Sequence, residues 1–280
     1  MTLRSLVAES EAVLRRGAHP DRARQDAETL LLHLLSRNRA WLLANAETSL
    51  PPEAQDSFHS LIERRVSGEP LQYITGTTEF YGLPFHVKRG VLIPRPETEH
   101  LVEEVIRLAA QFPSPHIADI GTGSGAIAVA LAHSLPNAQI TATDLSPQAL
   151  NIARRNAEHN AVRVAFLHGD LLAPLAGRRF DIIASNPPYI PLSDRASLSV
   201  EVREHEPSTA LFAGDDGLSI YRRLVPDAIP RLNHGGYLVM EIGYGQRPAI
   251  EGLLAASAYI DLHFLPDYQD IPRVAIGRKA

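Results

Sequence analysis

Short apolar segments alternate with helical segments from residue 116 onward, and this alternation constrains the fold more than any other feature of the sequence. The predicted parallel strands are 117–120, 140–143, 162–167, 180–185 and 237–242. Apolar residues at helical spacing separate them and predict helices after residue 125, over 147–159 and over 218–232. Strands that alternate with helices of about 10 to 15 residues favour a parallel, doubly wound α/β sheet. Two last strand candidates, 260–264 and 273–276, are close enough in sequence to pair antiparallel.

The first seventy residues have a different pattern. Leucines and other apolar residues recur there at helical spacing, and Pro51-Pro52 interrupts them, which predicts a small helical bundle. Residues 77–81 and 85–87 are β-prone runs around Gly82-Leu83-Pro84, so a hairpin is expected. The predicted organisation is a helical domain over 1–70, a hairpin connector over 71–95 and an α/β domain over 96–280.

Composition excludes several classes of protein. Hydrophobic residues make up 45% of the 280 residues and charged residues 21%, which is ordinary for a globular chain. No apolar run approaches the roughly 18 residues that span a bilayer, and the N-terminus lacks the features of a signal peptide, so we expect a cytoplasmic protein without membrane contact. The chain has no cysteine and its 12 histidines form no zinc-hydrolase pattern, so no metal site is predicted. A net charge of −5 argues against direct nucleic-acid binding.

A glycine-rich turn, Asp119-Ile120-Gly121-Thr122-Gly123-Ser124-Gly125, joins the first predicted strand of the sheet to the following helix. Glycines at such a junction let the backbone approach a ligand closely, because no Cβ intervenes. The dinucleotide fingerprint is absent because residue 126 is Ala. The turn therefore suits a ligand that needs close approach but carries no pyrophosphate for the helix N-terminus.

Two acidic residues follow later strands of the same sheet. Asp144 ends the second strand, where a carboxylate can accept hydrogen bonds from both hydroxyls of a ribose. Asp170 follows the third strand and is placed to approach an adenine amino group. A plain turn followed by two solvated acids is the alternative, but ligands of open α/β sheets bind at this edge.

The fourth strand ends in Asn186-Pro187-Pro188-Tyr189. The two prolines stiffen the turn and remove two backbone donors, so carbonyl oxygens and the Asn186 side-chain oxygen are left as acceptors beside the Tyr189 ring. Such acceptors suit a planar –NH2 group, whose lone pair becomes nucleophilic when both N–H bonds are held out of conjugation. Catalysis would then rest on positioning by Asn186, Pro187 and Tyr189. The alternative is a structural turn that merely ends the strand.

These motifs resemble those of S-adenosylmethionine-dependent N-methyltransferases. Asn-Pro-Pro-Tyr is similar to the amino-group recognition motif that these enzymes use for adenine, guanine or glutamine side chains, so the motif alone leaves the substrate open. Segments 68–76, 79–82 and 93–99, with Glu206-Pro207 and Asp216-Gly217-Leu218, resemble the PrmC/HemK family of release-factor glutamine methyltransferases. Paralogues that act on a ribosomal-protein glutamine look similar but typically lack Arg95-Pro96-Glu97-Thr98.

The resemblance implies a seven-stranded Rossmann-like methyltransferase domain behind a helical domain that helps to dock a release factor. It implies N5-methylation of the glutamine in that factor's Gly-Gly-Gln loop, with S-adenosyl-L-methionine converted to S-adenosyl-L-homocysteine. Asn186 would contact cofactor and substrate, and Pro187, Pro188 and Tyr189 would complete the glutamine pocket. The residues implied at the cofactor are Asp119, Gly121, Thr122, Gly123, Ser124, Gly125, Asp144, Asp170 and Leu171, although some relatives carry an aromatic residue in place of Leu171.

Three questions stay open at this point. A nucleic-acid base with an exocyclic amine would fit the same pocket, and a binding module without turnover would keep the same fold. The segment Arg95 to Thr98 either organises the mouth of the cleft or is structural, with an Arg95–Glu97 ion pair and Thr98 at a helix start.

Overall fold

The computed structural model describes residues 1–280, which divide into two compact units. The first unit comprises residues 1–77 together with 198–205, and the second comprises 78–197 together with 206–280. No helix in either unit has the length and apolar character needed to cross a membrane.

The first unit is helical. Its helices are α1 (Leu3–Leu14), α2 (Ala23–Leu35), α3 (Arg39–Ala44), α4 (Pro52–Val66), α5 (Leu71–Thr75) and, from the later segment, α9 (Val200–His205). Leu3 and Leu6 of α1, Leu30 and Leu31 of α2 and Phe58 of α4 are fully buried. The three-residue spacing of Leu3 and Leu6 places both on one face of α1, and the buried side chains of the three helices form one apolar core.

A buried ion pair ties α2 to α4. Arg65 Nε lies 2.7 Å from Asp26 Oδ2, and these side chains are 5% and 3% exposed. The Arg65 guanidinium also donates to Glu201 of α9, and His19 Nε2 lies 3.1 Å from the other Glu201 oxygen. A buried charge is tolerated only while its partner remains, so this cluster makes the returning segment 198–205 part of the helical unit.

We predict that Arg65→Met destabilises the helical unit by about 3 kcal/mol, because it leaves the Asp26 carboxylate buried without its cation. Trp41 is the only tryptophan and lies in this unit, so urea denaturation followed by tryptophan fluorescence reports on it directly. Arg24→Met is the matched control, since Arg24 is 67% exposed and its ion pairs are at the surface. Equal midpoints for the two variants would contradict this account.

The second unit is built on a mixed seven-stranded sheet. Its strands are β3 (His116–Ile120), β4 (Gln139–Asp144), β5 (Ala165–His168), β6 (Phe180–Ser185), β7 (Leu232–Glu241), β8 (Tyr259–Pro266) and β9 (Pro272–Lys279). They run in the order β5-β4-β3-β6-β7-β9-β8. The first five are parallel, and β9 pairs antiparallel with both β7 and β8. A separate hairpin joins β1 (Thr77–Phe80) to β2 (Leu83–His86).

Helices cover both faces of this sheet. They are α6 (Glu99–Ala109), α7 (Ala126–Ser134), α8 (Pro147–His159), α10 (Ser219–Ala228) and α11 (Arg247–Ala256). Side chains alternate between the faces along β7, so Val239 packs in the core with α6 and α7, whereas Leu238 and Met240 pack in the core with α10 and α11. Both faces are therefore apolar, as the near-continuous apolar strands predict.

The predicted α/β class, the seven strands and the antiparallel final pair are confirmed. Two strand starts in the sheet differ from the prediction by more than one residue. The third strand begins at Ala165 because the Val162 N–H still bonds to the Ala157 carbonyl in the turn that ends α8. The strand predicted from Tyr237 begins at Leu232, before the pair Gly235-Gly236, which hid it from the apolar pattern.

The predicted domain limits, 1–70, 71–95 and 96–280, differ from the two compact units. Helix α5 packs with α2 and α4 in the helical unit, so that unit extends to residue 77. Segment 198–205 joins the same unit through Glu201, which lies 136 residues from Arg65 in sequence. Contacts at that separation leave no local signal.

Candidate active site

Four loops meet at the carboxyl edge of the parallel strands. Ile120, the last residue of β3, is in register with Thr143 of β4 and Ser185 of β6, and the Ser185 hydroxyl donates to the Ile120 carbonyl at 2.7 Å. The glycine-rich turn therefore lies between Asp144 and Asn186. The predicted candidates of the second unit thus lie on neighbouring loops at one edge, as the strand order requires.

The glycines of this turn have two different roles. Gly121 and Gly123 have φ of +75° and +57°, and a Cβ built on either would meet nothing within 4 Å. Gly121 and Gly123 therefore leave open space along the backbone of the turn, which we call the cradle. Gly125 also has a positive φ, but a Cβ there would lie 3.0 Å from the Ala153 Cβ, so this glycine lets α8 pack against the turn. In the same turn, Ser124 is buried, and its carbonyl accepts from Asn156 of α8.

Asp119 lies buried below the cradle. Its Oδ2 accepts a hydrogen bond from the Thr122 hydroxyl at 2.6 Å, while its Oδ1 has no hydrogen-bond partner. Burial raises the pKa of Asp119 to about 7. A cationic or hydrogen-bond-donating group in the cradle would stabilise the ionised carboxylate.

Asp144 is fixed by the backbone around it. Its two carboxylate oxygens accept from the Gly123 and Ser146 N–H groups, each at 2.8 Å. Every carboxylate oxygen has a second lone pair, so both can still accept from a ligand. The side chain is half-buried at the end of β4, which gives it the fixed orientation that a bidentate acceptor needs.

Asp170 and Leu171 lie one loop further along. Asp170 is exposed and forms an ion pair with Arg223 of α10. Leu171 has a φ of +46°, and its carbonyl accepts from the Thr143 hydroxyl at 2.9 Å. The adenine contacts predicted for these two residues stay predictions, and for Asp170 any such contact competes with Arg223.

Asn186 belongs to a chain of side-chain hydrogen bonds. Its Nδ2 donates to Thr98 Oγ1 at 3.0 Å, and the Thr98 hydroxyl donates to Glu241 Oε2 at 2.6 Å. The Tyr189 hydroxyl donates to the other carboxylate oxygen, Oε1, at 3.2 Å. One carboxylate at the end of β7 thus connects to two of the four residues of the Asn-Pro-Pro-Tyr turn.

The backbone at Tyr189 is closely enclosed. Gln246 Nε2 donates to the Tyr189 carbonyl at 2.9 Å, and a Cβ at Gly217 would lie 2.3 Å from that same oxygen. A Cβ at Gly243 would approach the Tyr189 ring to 3.0 Å. Pro187 is buried beside it, whereas Pro188 is half-buried. These glycines explain how a rigid turn and a bulky ring fit together.

Buried charges set the electrostatics of this turn. Burial raises the pKa of Glu241, while hydrogen bonds from Thr98 and Tyr189 and the nearby Arg273 lower it. Burial, and next the Glu241 charge, raise the pKa of the Tyr189 hydroxyl, so it remains a donor. The Tyr189 hydroxyl is therefore already hydrogen-bonded to Glu241, and the ring offers an apolar face.

The segment before α6 makes two polar contacts with residues that are distant in sequence. Arg95 Nη2 lies 2.8 Å from each carboxylate oxygen of Glu206, so the Arg95–Glu97 pair considered from sequence is wrong. Thr98 does precede α6, but its hydroxyl makes no capping bond and is directed to Glu241 instead. Glu241 and Gln246 were not predicted from the sequence, in which their one signal is a glutamate that ends an otherwise apolar strand.

Comparison with known proteins identifies the family. The PrmC N-terminal domain matches residues 6–76, and the methyltransferase small domain matches residues 98–201. The chain is 46% identical over 261 residues to the release factor glutamine methyltransferase of Geobacter sulfurreducens, covering 92% of this chain and 90% of that protein. It is 47% identical over 271 residues to the release factor glutamine methyltransferase of Moorella thermoacetica, covering 96% and 95%. The chain belongs to the release factor glutamine methyltransferase family.

Solved structures agree on the fold. The T. thermophilus 16S rRNA methyltransferase, in complex with AdoMet and guanosine, matches 73% of this chain and 50% of its own, with a TM-score of 0.55 at 21% identity. The predicted Rossmann-like methyltransferase fold and the predicted family are therefore confirmed.

The cradle generates a direct test with a matched control. Gly121 and Gly177 have almost the same φ, +75° and +76°, and a Cβ on either meets nothing, so Ala costs about 1 to 2 kcal/mol of backbone strain at both. Only Gly121→Ala places a methyl group in the cradle. We predict that it weakens S-adenosyl-L-methionine binding by at least about 10-fold in calorimetry, while Gly177→Ala does not. Equal affinities for the two variants would show that the cradle does not hold this compound.

Proposed function

We propose that this chain transfers a methyl group from S-adenosyl-L-methionine to the side-chain nitrogen of the glutamine in the Gly-Gly-Gln loop of peptide chain release factors. The observation that carries the proposal is the near-complete alignment with release factor glutamine methyltransferases at 46% and 47% identity. The acceptor-rich turn at Asn186 is consistent with it, because such a turn suits a planar –NH2 group and a primary amide carries one.

The residues at the carboxyl edge fit the methyl donor. The cradle of Gly121 and Gly123 allows close backbone approach, Asp144 presents a fixed acceptor for ribose hydroxyls, and Asp119 offers a carboxylate to a positive charge. When bound, S-adenosyl-L-methionine supplies an electrophilic methyl group that leaves sulfur for the glutamine nitrogen, and that nitrogen loses one proton to solvent. A partly positive ligand is consistent with the three acids at this edge, Asp119, Asp144 and Asp170.

The protein's own contribution is positioning. An amide nitrogen is a poor nucleophile because its lone pair is delocalised into the carbonyl. Asn186 Oδ1 and the carbonyl oxygens of the turn accept from the two N–H bonds and turn the lone pair towards the methyl group. The Tyr189 ring covers the amide plane, and Pro187 and Pro188 fix the turn without adding competing donors. No side chain need form a covalent bond.

The functional test uses the full chain with labelled S-adenosyl-L-methionine and a purified release factor, followed by mass spectrometry of the Gly-Gly-Gln peptide. We expect one added methyl group on that glutamine and none when the glutamine is Ala. Asn186→Ala should lower the rate by about 100-fold or more, since one preorganised group at the reacting atoms is worth that much.

The same assay separates the alternatives. Parallel reactions contain ribosomal protein or RNA in place of the release factor. Label in either of these, with none in the release factor, would overturn the proposal. An unchanged yield with the glutamine replaced by Ala would do the same.

A further inference from the structure

Glu241 is the most buried charged group beside the Asn-Pro-Pro-Tyr turn, with 2% of its surface exposed. Its two carboxylate oxygens are used by different parts of the chain. Thr98, which precedes α6, donates to Oε2, and Tyr189 donates to Oε1. Asn186 contacts Thr98 but not the carboxylate, so an effect of Glu241 on Asn186 passes through Thr98.

While Glu241 is ionised, the hydrogen bonds that link Asn186, Thr98 and Glu241 can run in only one direction. A carboxylate has no hydrogen to give, so the single hydroxyl hydrogen of Thr98 goes to Oε2 over the 2.6 Å contact. Thr98 Oγ1 can then only accept from Asn186. The side-chain amide of Asn186 must therefore direct its Nδ2 to Thr98, at 3.0 Å, and its Oδ1 away from it.

We propose that Thr98 and Glu241 are positioning residues that lock the orientation of the Asn186 amide, and that this orientation selects a glutamine over a glutamate. The inference rests on the proposed function. With Oδ1 directed to the substrate, Asn186 accepts from an –NH2 group and repels a carboxylate. A flipped amide would present two donors, which suit the carboxylate of glutamate and cannot hold the reactive N–H bonds.

Charged and hydrogen-bonding groups from several elements surround Glu241. Arg273 of β9 supplies a positive charge, and Glu97 in the turn before α6 supplies a negative one. Tyr189 donates to the carboxylate, and the Tyr221 hydroxyl of α10 donates to the Glu241 backbone carbonyl at 2.7 Å. Since burial raises the pKa of Glu241, its protonation begins at a higher pH than for an exposed glutamate. Protonation lets the carboxyl group donate to Thr98 and releases the amide to flip.

The first experiment compares Thr98→Val, which removes the hydroxyl but keeps the shape, with Thr98→Ser, which keeps the hydroxyl. We expect Thr98→Val to lower kcat/KM for the release factor by about 10-fold to 100-fold, through kcat, with an unchanged affinity for S-adenosyl-L-methionine. Thr98→Ser should restore most of the rate. Thr141→Val is the control, because Thr141 is a buried threonine of β4 away from this turn.

The second experiment measures selectivity without turnover. Peptides containing Gly-Gly-Gln or Gly-Gly-Glu compete for the full chain in the presence of S-adenosyl-L-homocysteine. The native chain should prefer the glutamine peptide, and Thr98→Val should reduce that preference by about 10-fold. A preference that is the same in Thr98→Val and the native chain would overturn the proposal.

The third experiment uses pH. The native rate should fall as pH drops through the pKa of Glu241, because the ionised form is the active one. Glu241→Gln cannot titrate, so its rate should be lower throughout and should lack that acid limb. Asp119 titrates near pH 7 in both proteins, so the comparison is of the whole profile. Acid limbs of identical shape and midpoint in the two proteins would overturn the role of Glu241.

These outcomes are separable from failure of the proposed function. If the native chain methylates no glutamine, the function itself is wrong. If it methylates glutamine and Thr98→Val equals both Thr98→Ser and the native chain, the function stands and this inference is wrong. Thermal melting of each variant shows which losses come from misfolding.

Discussion

The buried Glu241 carboxylate is the interaction on which the pocket depends. It lies at the end of β7, with hydrogen bonds to a residue before α6 and to a residue of the loop after β6. Burying a carboxylate is costly unless its oxygens accept hydrogen bonds, and here both do. In return for the cost of its burial, the Glu241 carboxylate fixes two loops that the sheet alone would leave independent. Asn186 gains its orientation and Tyr189 its hydroxyl partner from the same group.

The sheet explains why these groups can meet at all. In a parallel sheet all carboxyl ends lie at one edge, so β3, β4 and β6 deliver the glycine cradle, Asp144 and Asn186 to neighbouring positions. The glycine cradle, proposed to bind the methyl donor, follows β3, and the acceptor-rich turn follows the neighbouring strand β6. The hydrogen bond from the Ser185 hydroxyl reinforces the pairing of these two strands. Catalysis by positioning requires such rigidity, since small displacements of the reacting atoms are costly.

Short sequence patterns predicted those parts of the site that are contiguous in the sequence. The glycine cradle, the acid at the end of β4 and the Asn-Pro-Pro-Tyr turn are contiguous in sequence and carry their chemistry in residue type, so each could be predicted without a structure. Glu241 could not, because it lies 143 residues from Thr98 and resembles an ordinary strand end until the two are brought together. The same holds for Glu201 in the helical unit, whose partner is Arg65. Long-range pairs of polar groups are fixed by topology, which periodicity does not encode.

The distinct roles of the three glycines also required the structure. Sequence spacing treats Gly121, Gly123 and Gly125 alike, but only the first two open onto free space. Likewise, either of two glutamates, Glu97 or Glu206, could pair with Arg95, and packing selects Glu206, the one more distant in sequence. In each case the sequence shows the type of residue, but it does not show which partner that residue contacts.

A crystal structure with S-adenosyl-L-homocysteine and a glutamine-containing release-factor peptide tests the central claim most directly. The account predicts that the glutamine side-chain nitrogen donates to Asn186 Oδ1 while Asn186 Nδ2 still donates to Thr98, with the Tyr189 ring against the amide. A glutamine nitrogen bound elsewhere, or an Asn186 amide turned so that Nδ2 faces the substrate, would contradict it.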